Sequence, residues 1–320
     1  MQRQKNDVAA AMMEKYIEKG GQDAGNFQLL AQLYRMDKKN DKALAVLDRG
    51  MKILPASKNA FKSERVNVLL DTQQMEEAKV GLKELTELEP TNAQYPLNLG
   101  IIYDNEAAQY NSEIRKLNDL SKRVAIHERR LKDAEETDKV FVDEIKRITG
   151  LIAKQPKNAD LKRQKAEAEA KLKENKENIE TEKVEVAKAK EEAAAAGNIA
   201  AKIVELTEKR NKARDEAKAA YQKALAADGN NYDALFNMGV FYFNEAVEMK
   251  SVVDAMDMKE YNAKGKEIES KVCGKFKQSR PYFLKAKDIK DEEQVVEVLK
   301  SLESLLTQLE GKNIPCEEAK

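Results

Sequence analysis

Cysteine, histidine and tryptophan are scarce in this sequence. Its 320 residues include two cysteines, Cys273 and Cys316, a single histidine, His127, and no tryptophan. Without a CxxC motif or paired Cys/His spacing, a zinc site has no ligands. A nucleophile activated by histidine would have to use His127, and a Gly-rich phosphate loop is missing. We therefore predict no metal, no cofactor and no enzymatic activity.

The two cysteines leave their redox state open. A disulfide between Cys273 and Cys316 would form in an oxidising compartment, whereas two free thiols are the default expectation. The first five residues are not followed by an apolar segment, so no uncleaved signal peptide is predicted.

An excess of charge of one sign is also missing. The chain carries 57 Lys/Arg and 57 Asp/Glu, and 36% of its residues are charged, against about 25% in ordinary soluble proteins. Proteins that bind nucleic acid by neutralising phosphates usually have a basic excess, so we predict no nucleic-acid partner. No apolar run approaches the length of about 18 residues that a membrane span needs. The 6 prolines and 13 glycines are too few for low-complexity disorder.

What the sequence has instead is an internal repeat. The segment that starts at Asn6 aligns with the segment that starts at Asn40, at a spacing of 34 residues. Pro55 and Pro90, which end successive units, are 35 residues apart. A period near 34 residues with two helices per unit is typical of tetratricopeptide repeats.

The sequence resembles the tetratricopeptide repeat (TPR) family at specific positions. Small residues fall where the two helices of a unit cross closely, large residues fill the seam, and proline ends the second helix because it cannot continue the hydrogen-bond ladder. The matching positions are Phe27, Leu30, Ala31, Tyr34, Ala43, Leu47, Gly50, Pro55, Val66, Leu69, Ala78, Leu82, Leu85, Pro90, Leu99, Gly100 and Tyr103. The resemblance implies an all-α TPR alpha-solenoid, and a generic helical bundle is the alternative.

The third repeat is interrupted by a long insertion rich in Lys, Glu and Ala. Its first helix reaches Tyr103, but the matching second helix begins only near Asp215. In between, apolar residues from Leu117 to Ile152 alternate in steps of three and four, which is typical of a coiled coil. A leaner seam runs from Leu161 to Ile203. The polar residues His127 and Asp138 occupy seam positions, where we expect them to set register or lie at an edge; a pH-sensitive His127 is the alternative.

The insertion is predicted to be a single antiparallel hairpin. Pro156 disfavours helix at the residue before it, and Asn158 is a candidate N-cap for the returning leg. The two legs have nearly equal lengths, which returns the chain beside the first helix of the third repeat. We therefore place Gly197 inside the returning helix and prefer this arrangement to three helices broken at Gly150 and Gly197.

The predicted organisation has four parts. Residues 1–104 hold a half repeat, two full repeats and the first helix of a third; 105–212 form the coiled-coil arm with its tip near 155–160; 213–290 hold the second helix of the third repeat and an elongated fourth repeat; 291–320 form a capping helix and a loose tail. Within the fourth repeat, Asp257 begins a capping box and Pro281 should weaken a helix locally. Residues 6–20 lack a preceding first helix, and we favour missing upstream sequence over a start on a half repeat.

The resemblance also implies a groove that binds a protein or peptide partner. The candidate groove residues are Gln28, Gln32, Arg35, Ser63, Asn67, Asn98, Ile101, Phe236, Asn237, Val240 and Phe243. Asn98 and Asn237 fall where TPR grooves often use Asn to hold a ligand backbone; the alternative is that they are only helix-surface residues. Gln28, Gln32 and Ser63 stand where TPR proteins that clamp a terminal carboxylate use other residues, so that specific role is not predicted.

The leading hypothesis is a non-enzymatic scaffold or adaptor. The groove would hold one partner, and the arm would contact a second partner or self-associate. The alternative is a holdase-type chaperone, or an envelope or secretion assembly factor, that grips clients with the arm. The elongated fourth repeat around Phe241–Met249 looks like TPR proteins of bacterial cell envelopes. That likeness favours the periplasm or cell envelope, after removal of a signal, over the cytoplasm.

Overall fold

The computed structural model describes residues 2–317, and side-chain surroundings from Asn6 onward. In this part of the chain the regular structure is helical throughout, without a strand. The helices are α1 Gln2–Glu18, α2 Ala24–Met36, α3 Asn40–Ile53, α4 Lys58–Asp71, α5 Met75–Leu88, α6 Gln94–Lys154, α7 Ala159–Ala196, α8 Ile199–Ala227, α9 Tyr232–Asp254, α10 Met258–Glu260, α11 Lys266–Ile289 and α12 Glu293–Glu310. A 3-10 turn, Pro55–Ser57, precedes α4, and a π-helical turn, Tyr261–Gly265, joins α10 to α11.

The chain divides into two compact units. Residues up to Glu106 and from Ala213 onward form the first, which we name the repeat unit, and Ala107–Lys212 form the second, which we name the arm unit. Helix α6 contributes residues 94–106 to the repeat unit and 107–154 to the arm unit. Helix α8 contributes residues 199–212 to the arm unit and 213–227 to the repeat unit.

The repeat unit is built from helix pairs of the TPR type, as predicted. The pairs are α2 with α3, α4 with α5, residues 94–106 of α6 with 213–227 of α8, and α9 with α11. We call the members of each pair its first and second helix. Helix α1 packs on α2, and its Ile17 is buried in the same core as Phe27 and Leu47.

Glycine lets the helices of this stack approach aromatic rings closely. A Cβ atom on Gly50 would lie 3.0 Å from the ring of Phe61, which lies near the beginning of α4. In the third pair, a Cβ on Gly100 would lie 2.5 Å from the buried ring of Tyr221. Side chains rarely tolerate such distances, so the small residue that marks the repeat in the sequence is required by packing.

The arm unit is an antiparallel coiled coil. Along α6, Asn111, His127 and Ala134 face partners whose numbers fall as theirs rise: Arg210, Glu182 and Asn175. The His127 Nδ1 lies 2.7 Å from a Glu182 carboxylate oxygen, and the Asn175 amide donates to the Ala134 carbonyl at 2.9 Å. These contacts confirm a hairpin inserted between the two helices of the third pair, and they place His127 in a polar contact across the seam.

The turn of the hairpin follows the prediction, but its returning leg does not. The Asn158 side chain accepts hydrogen bonds from the amides of Asp160 and Leu161, so it is the N-cap of α7. Gly150 lies within α6, but the prediction that Gly197 lies inside a helix is wrong. Gly197 has φ +77 and ends α7, and Asn198 accepts from the Ala201 amide at 3.1 Å to begin α8. Glycine tolerates this left-handed conformation and Asn caps well, so two adjacent residues are enough to break the leg.

The C-terminal helices cover the last pair. Asp257 accepts from the Glu260 amide at 2.8 Å, so it is the N-cap of α10 and forms that half of the predicted capping box. Helix α11 continues through Pro281, whose ring is exposed. Helix α12 buries Val295 and Leu302 against α11, in the same core as α9.

The segment after α12 is attached to α11, which corrects two expectations. Cys273 and Cys316 form a disulfide, so they are not free thiols. The Ser270 hydroxyl donates to the Pro315 carbonyl at 2.6 Å, and the Glu317 amide donates to the Ser270 carbonyl at 3.0 Å. Up to residue 317, the tail is therefore not loose; residues 318–320 lie outside the described part.

Candidate functional site

The first helices of the first two pairs share a polar face. The Gln32 amide donates to a Glu64 carboxylate oxygen at 2.9 Å, and Arg35 lies 3.7 Å from the same carboxylate. Arg35 also forms a 2.6 Å ion pair with Asp71. With Met36, which is 70% exposed, Gln32, Arg35 and Asp71 line a pocket of about 500 Å³. The structure thus brings together two of the predicted groove residues and adds two carboxylates that the sequence reasoning missed.

The other candidates on these helices continue the same face. Gln28 lies one turn before Gln32 on α2, and Ser63 and Asn67 lie one turn apart on α4. All three are half-buried. A helical spacing of four residues keeps successive side chains on one face, so the face is mainly amide and hydroxyl in character, with its charges paired.

The first helix of the third pair, residues 94–106 of α6, contains Asn98 and Ile101. The Asn98 side chain accepts a hydrogen bond from the Gln94 amide at 2.7 Å, and Ile101 is 37% exposed. Asn105, one turn beyond Ile101, is exposed as well. Asn98 and Asn105 are separated by two helical turns and therefore lie on the same side of the helix.

On α9 the structure separates the aromatic candidates from the polar one. The Phe236 ring contacts the Phe283 ring at a centroid distance of 5.7 Å, and the Phe243 ring contacts that of Phe276 at 5.2 Å. These two phenylalanines and Val240 pack against the core shared with α11 and α12. Asn237 is half-buried on the same helix. The aromatic candidates therefore contribute to packing, and Asn237 is the polar candidate on α9.

The first helices of the third and fourth pairs contain a similar eleven-residue sequence. Residues 97–107 read LNLGIIYDNEA, and residues 236–246 read FNMGVFYFNEA. Asn98 and Asn105 in the first copy correspond to Asn237 and Asn244 in the second. Asn105 and Asn244 are exposed, and both were missed by the sequence reasoning. The duplicated segment was the signal that could have found them.

The same repeat positions build the packing below this face. Gly239 corresponds to Gly100, and a Cβ on Gly239 would lie 2.7 Å from the Phe283 ring. Lys79 lies over the Tyr103 ring at 5.3 Å, and Lys218 lies over the corresponding Tyr242 ring at 5.4 Å. The two asparagine pairs are thus carried on helices whose other sides pack closely against neighbouring helices.

The third pair also contains a buried polar contact. Asp104 hydrogen-bonds to the Tyr221 hydroxyl, with Arg214 and Glu248 nearby. Burial raises the pKa of the Asp104 carboxyl, an effect that the positive charge of Arg214 opposes. The pKa of Tyr221 is raised by burial and by the neighbouring carboxylate. In the fourth pair, Phe243 replaces Asp104 and Phe283 replaces Tyr221 at the corresponding positions. The buried polar contact is therefore a feature of the third pair that the fourth pair lacks.

Other kinds of site are not found in the described residues. Across residues 2–317, no group of three or more His, Cys, Asp or Glu side chains comes together as potential metal ligands. In the same part of the chain, none of the helices combines the length and apolarity that crossing a bilayer requires. The candidate site is therefore the polar surface of the first helices, which we name the first-helix face: Gln28, Gln32, Arg35, Ser63, Asn67, Asn98, Ile101, Asn105, Asn237 and Asn244.

This architecture is an all-α stack of helix pairs with a TPR-like arrangement and a coiled-coil insertion. No protein-family model and no curated protein sequence matches the chain. Among solved structures, it is similar to YrrB, a TPR protein with an unusual peptide-binding site, at 15% identity over 91% of this chain and 99% of that chain, with a TM-score of 0.27. It is also similar to a monomeric mutant of IFIT1 with m7Gppp-AAAA, at 14% identity over 97% of this chain and 73% of that chain, with a TM-score of 0.24. The repeat architecture of this chain is seen in its own helix pairs.

Proposed function

We propose that this protein is a non-enzymatic scaffold whose first-helix face holds an extended segment of a partner protein, while the arm unit contacts a second partner. The repeated asparagine pairs, Asn98 with Asn105 and Asn237 with Asn244, are the observation that supports the first part. An Asn side chain offers a donor and an acceptor, so it can bond both the N–H and the C=O of a peptide backbone.

The spacing within each pair suits an extended ligand. Seven residues of α-helix rise about 10 Å, which is about the length of three residues of extended chain. Each pair can therefore contact backbone groups about three residues apart along a ligand. Backbone contacts of this kind give affinity without demanding one side-chain sequence.

Peptide selection on the intact protein tests this proposal. Peptides selected from a random library on the immobilised chain would be labelled, and their affinities measured by fluorescence anisotropy. Because a net hydrogen bond contributes about 1 kcal/mol, Asn105→Ala and Asn244→Ala should each weaken binding roughly fivefold. The matched controls are Asn118→Ala and Asn178→Ala, which remove exposed asparagines of the arm unit. Failure to select peptides, or equal losses in the control variants, would contradict the proposal.

The arm's partner is tested by photo-crosslinking from the full chain. A photoreactive residue at the exposed Lys157 position near the tip would be compared with one at Glu87, an exposed position of the repeat unit. A distinct adduct, to a protein or to a lipid, that forms only from the arm position supports a second partner. An adduct whose mass equals a second copy of the chain would instead indicate self-association, and no adduct from either position counts against the arm's role.

Two further observations bear on the alternatives. A holdase that grips clients with the tip needs exposed apolar side chains there, but Ile145, Ile148, Leu151, Ile152 and Leu161 are buried or half-buried. The seam residues at the tip therefore do not offer the apolar surface that this function needs. The Cys273–Cys316 disulfide supports an oxidising compartment, and we propose the periplasm or cell envelope on that basis.

A further inference from the structure

The tip of the arm unit differs in charge from the rest of the chain. Residues 145–166 contain seven Lys or Arg and a single acidic residue, Asp160, whereas the rest of 107–212 contains 18 basic and 20 acidic residues. The whole chain is neutral, so composition alone hides this cluster. Its basic members, which we name the basic tip, are Lys146, Arg147, Lys154, Lys157, Lys162, Arg163 and Lys165.

The turn between α6 and α7 gathers these charges at one end of the hairpin. The Gln155 amide donates to the Leu151 carbonyl at 3.0 Å, and the Asn158 amide donates to the Gln155 carbonyl at 3.1 Å. This tight connection places the end of α6 beside the beginning of α7. Six of the seven basic side chains are exposed, and Lys165 is half-buried.

Most of the basic tip is not neutralised by its neighbours. Arg147 pairs with Glu144 at 2.7 Å, Arg163 with Asp160 at 3.5 Å, and Lys165 with Glu169 at 3.5 Å. Among the described residues, the other four members, Lys146, Lys154, Lys157 and Lys162, have no carboxylate within 4.0 Å. Ordinary coiled-coil surfaces alternate charges of both signs, and the middle of this arm does so. The tip therefore carries a net positive charge that its own carboxylates do not balance.

The chemistry of the tip indicates which anion it suits. Five of its seven basic residues are lysines, which act as hydrated point charges without the planar fork of arginine, so they suit a diffuse layer of negative charge better than bidentate contact with one anionic group. The aromatic residues of the arm unit are Tyr110, far from the tip in sequence, and Phe141, half-buried in the seam, so the tip has no platform on which bases would stack. An exposed turn with several unpaired lysines matches a plane of anionic headgroups.

We propose that the basic tip docks on an anionic lipid surface. This names the second partner in the scaffold function proposed above and rests on that function. The docking is electrostatic and peripheral, so it weakens as salt screens the charges. It would hold the scaffold at a membrane surface while the first-helix face remains available for its peptide.

Vesicle sedimentation with the full chain tests the proposal. The chain should sediment with mixed phosphatidylglycerol–phosphatidylcholine vesicles at low salt, should sediment less at high salt, and should stay in solution with phosphatidylcholine alone. Each lysine near an anionic surface strengthens binding about fivefold, so the triple variant Lys154→Gln, Lys157→Gln, Lys162→Gln should weaken binding about a hundredfold. The matched control is Lys171→Gln, Lys173→Gln, Lys176→Gln, which removes three exposed lysines farther along α7 and should keep most of the binding.

Three results would overturn the inference: no sedimentation with anionic vesicles, equal losses in the two triple variants, or tip-dependent binding to duplex DNA without binding to vesicles. Circular dichroism would show that both variants keep the helix content of the parent chain. Peptide binding by the first-helix face is measured separately and should not change in the tip variant. A failure of lipid docking is thus distinguishable from a failure of the scaffold proposal.

Discussion

Reduction of the Cys273–Cys316 disulfide should lower the stability of the repeat unit. The bond joins α11 to the segment after α12 across 43 residues. In the chain-entropy description, a bridge that closes about 15 residues contributes about 3 kcal/mol and one that closes about 100 contributes about 4.7 kcal/mol. The bridge in this protein should therefore contribute about 4 kcal/mol to the free energy of unfolding.

The folded tail should stay in place when the bond is reduced under native conditions. Ser270 still bonds Pro315 and Glu317, Lys312 still pairs with the buried Glu269 carboxylate, and Ile314 is 8% exposed. The loss therefore falls on the unfolding equilibrium and not on the native conformation. Hydrogen exchange at the Glu317 amide should accelerate on reduction, because only these contacts then resist local opening.

Urea unfolding followed by circular dichroism, with and without dithiothreitol, measures the effect. The urea midpoint of the parent chain should fall on reduction. Cys316→Ser should have nearly the same midpoint with and without dithiothreitol, close to that of the reduced parent chain. Cys316→Ser is also the control for nonspecific effects of the reductant, because it has no bond to reduce. Identical midpoints for the oxidised and reduced parent chain would refute the reasoning.

Three more predictions concern the cores. Gly100→Ala should destabilise by about 1–3 kcal/mol because its Cβ would strike the Tyr221 ring, whereas Gly150→Ala, with open space around it, should stabilise by up to about 1 kcal/mol; urea midpoints compare the two. Because the pKa of Asp104 is raised, its contribution to stability is full below 3.8 and is lost as pH rises through the raised value. Stability measured against pH should therefore show the parent chain gaining on Asp104→Asn as the solution is acidified. Asp138→Leu should raise the free energy of unfolding of the arm by about 1–2 kcal/mol, because a buried Asp138 oxygen lacks a hydrogen-bond partner; an unchanged urea midpoint would show that water satisfies this oxygen.

The repeat pattern made most of the repeat unit predictable. Local periodicity, proline after second helices and small residues at close crossings act within a few turns of helix, so they are legible in one dimension. Ala43 and Leu47, for example, are fully buried where the pattern placed them. The arm was predictable for the same reason, because a heptad seam and the Asn158 cap are local signals.

The candidate site was less predictable because its chemistry depends on neighbours. The helix positions of Gln32 and Arg35 predict that they lie on the groove side, but nothing in the sequence indicates that Glu64 and Asp71 pair with them. Phe236 and Phe243 satisfy the groove spacing, yet both pack on the α11 side of their helix. When apolar residues lie on several sides of a helix, their spacing alone does not show which side is buried.

The break at Gly197 is a feature that the nearly equal lengths of the two hairpin legs do not predict. Equal lengths suggest one continuous returning helix, but Gly197 has φ +77 and Asn198 begins a new helix. A glycine in a run of alanines is compatible with both outcomes, because its helix cost of about 1 kcal/mol is small compared with packing across the seam.

The sequence by itself therefore determined the helical class, the period of the repeat and the place of the insertion, because these follow from spacings along one chain. The tertiary structure decided the pairing of Cys273 with Cys316, the attachment of the tail and the partners of the polar face. It also brought the basic residues on either side of residues 155–158 to one end of the hairpin. Those features depend on which distant residues meet, and only the packing of whole helices sets that.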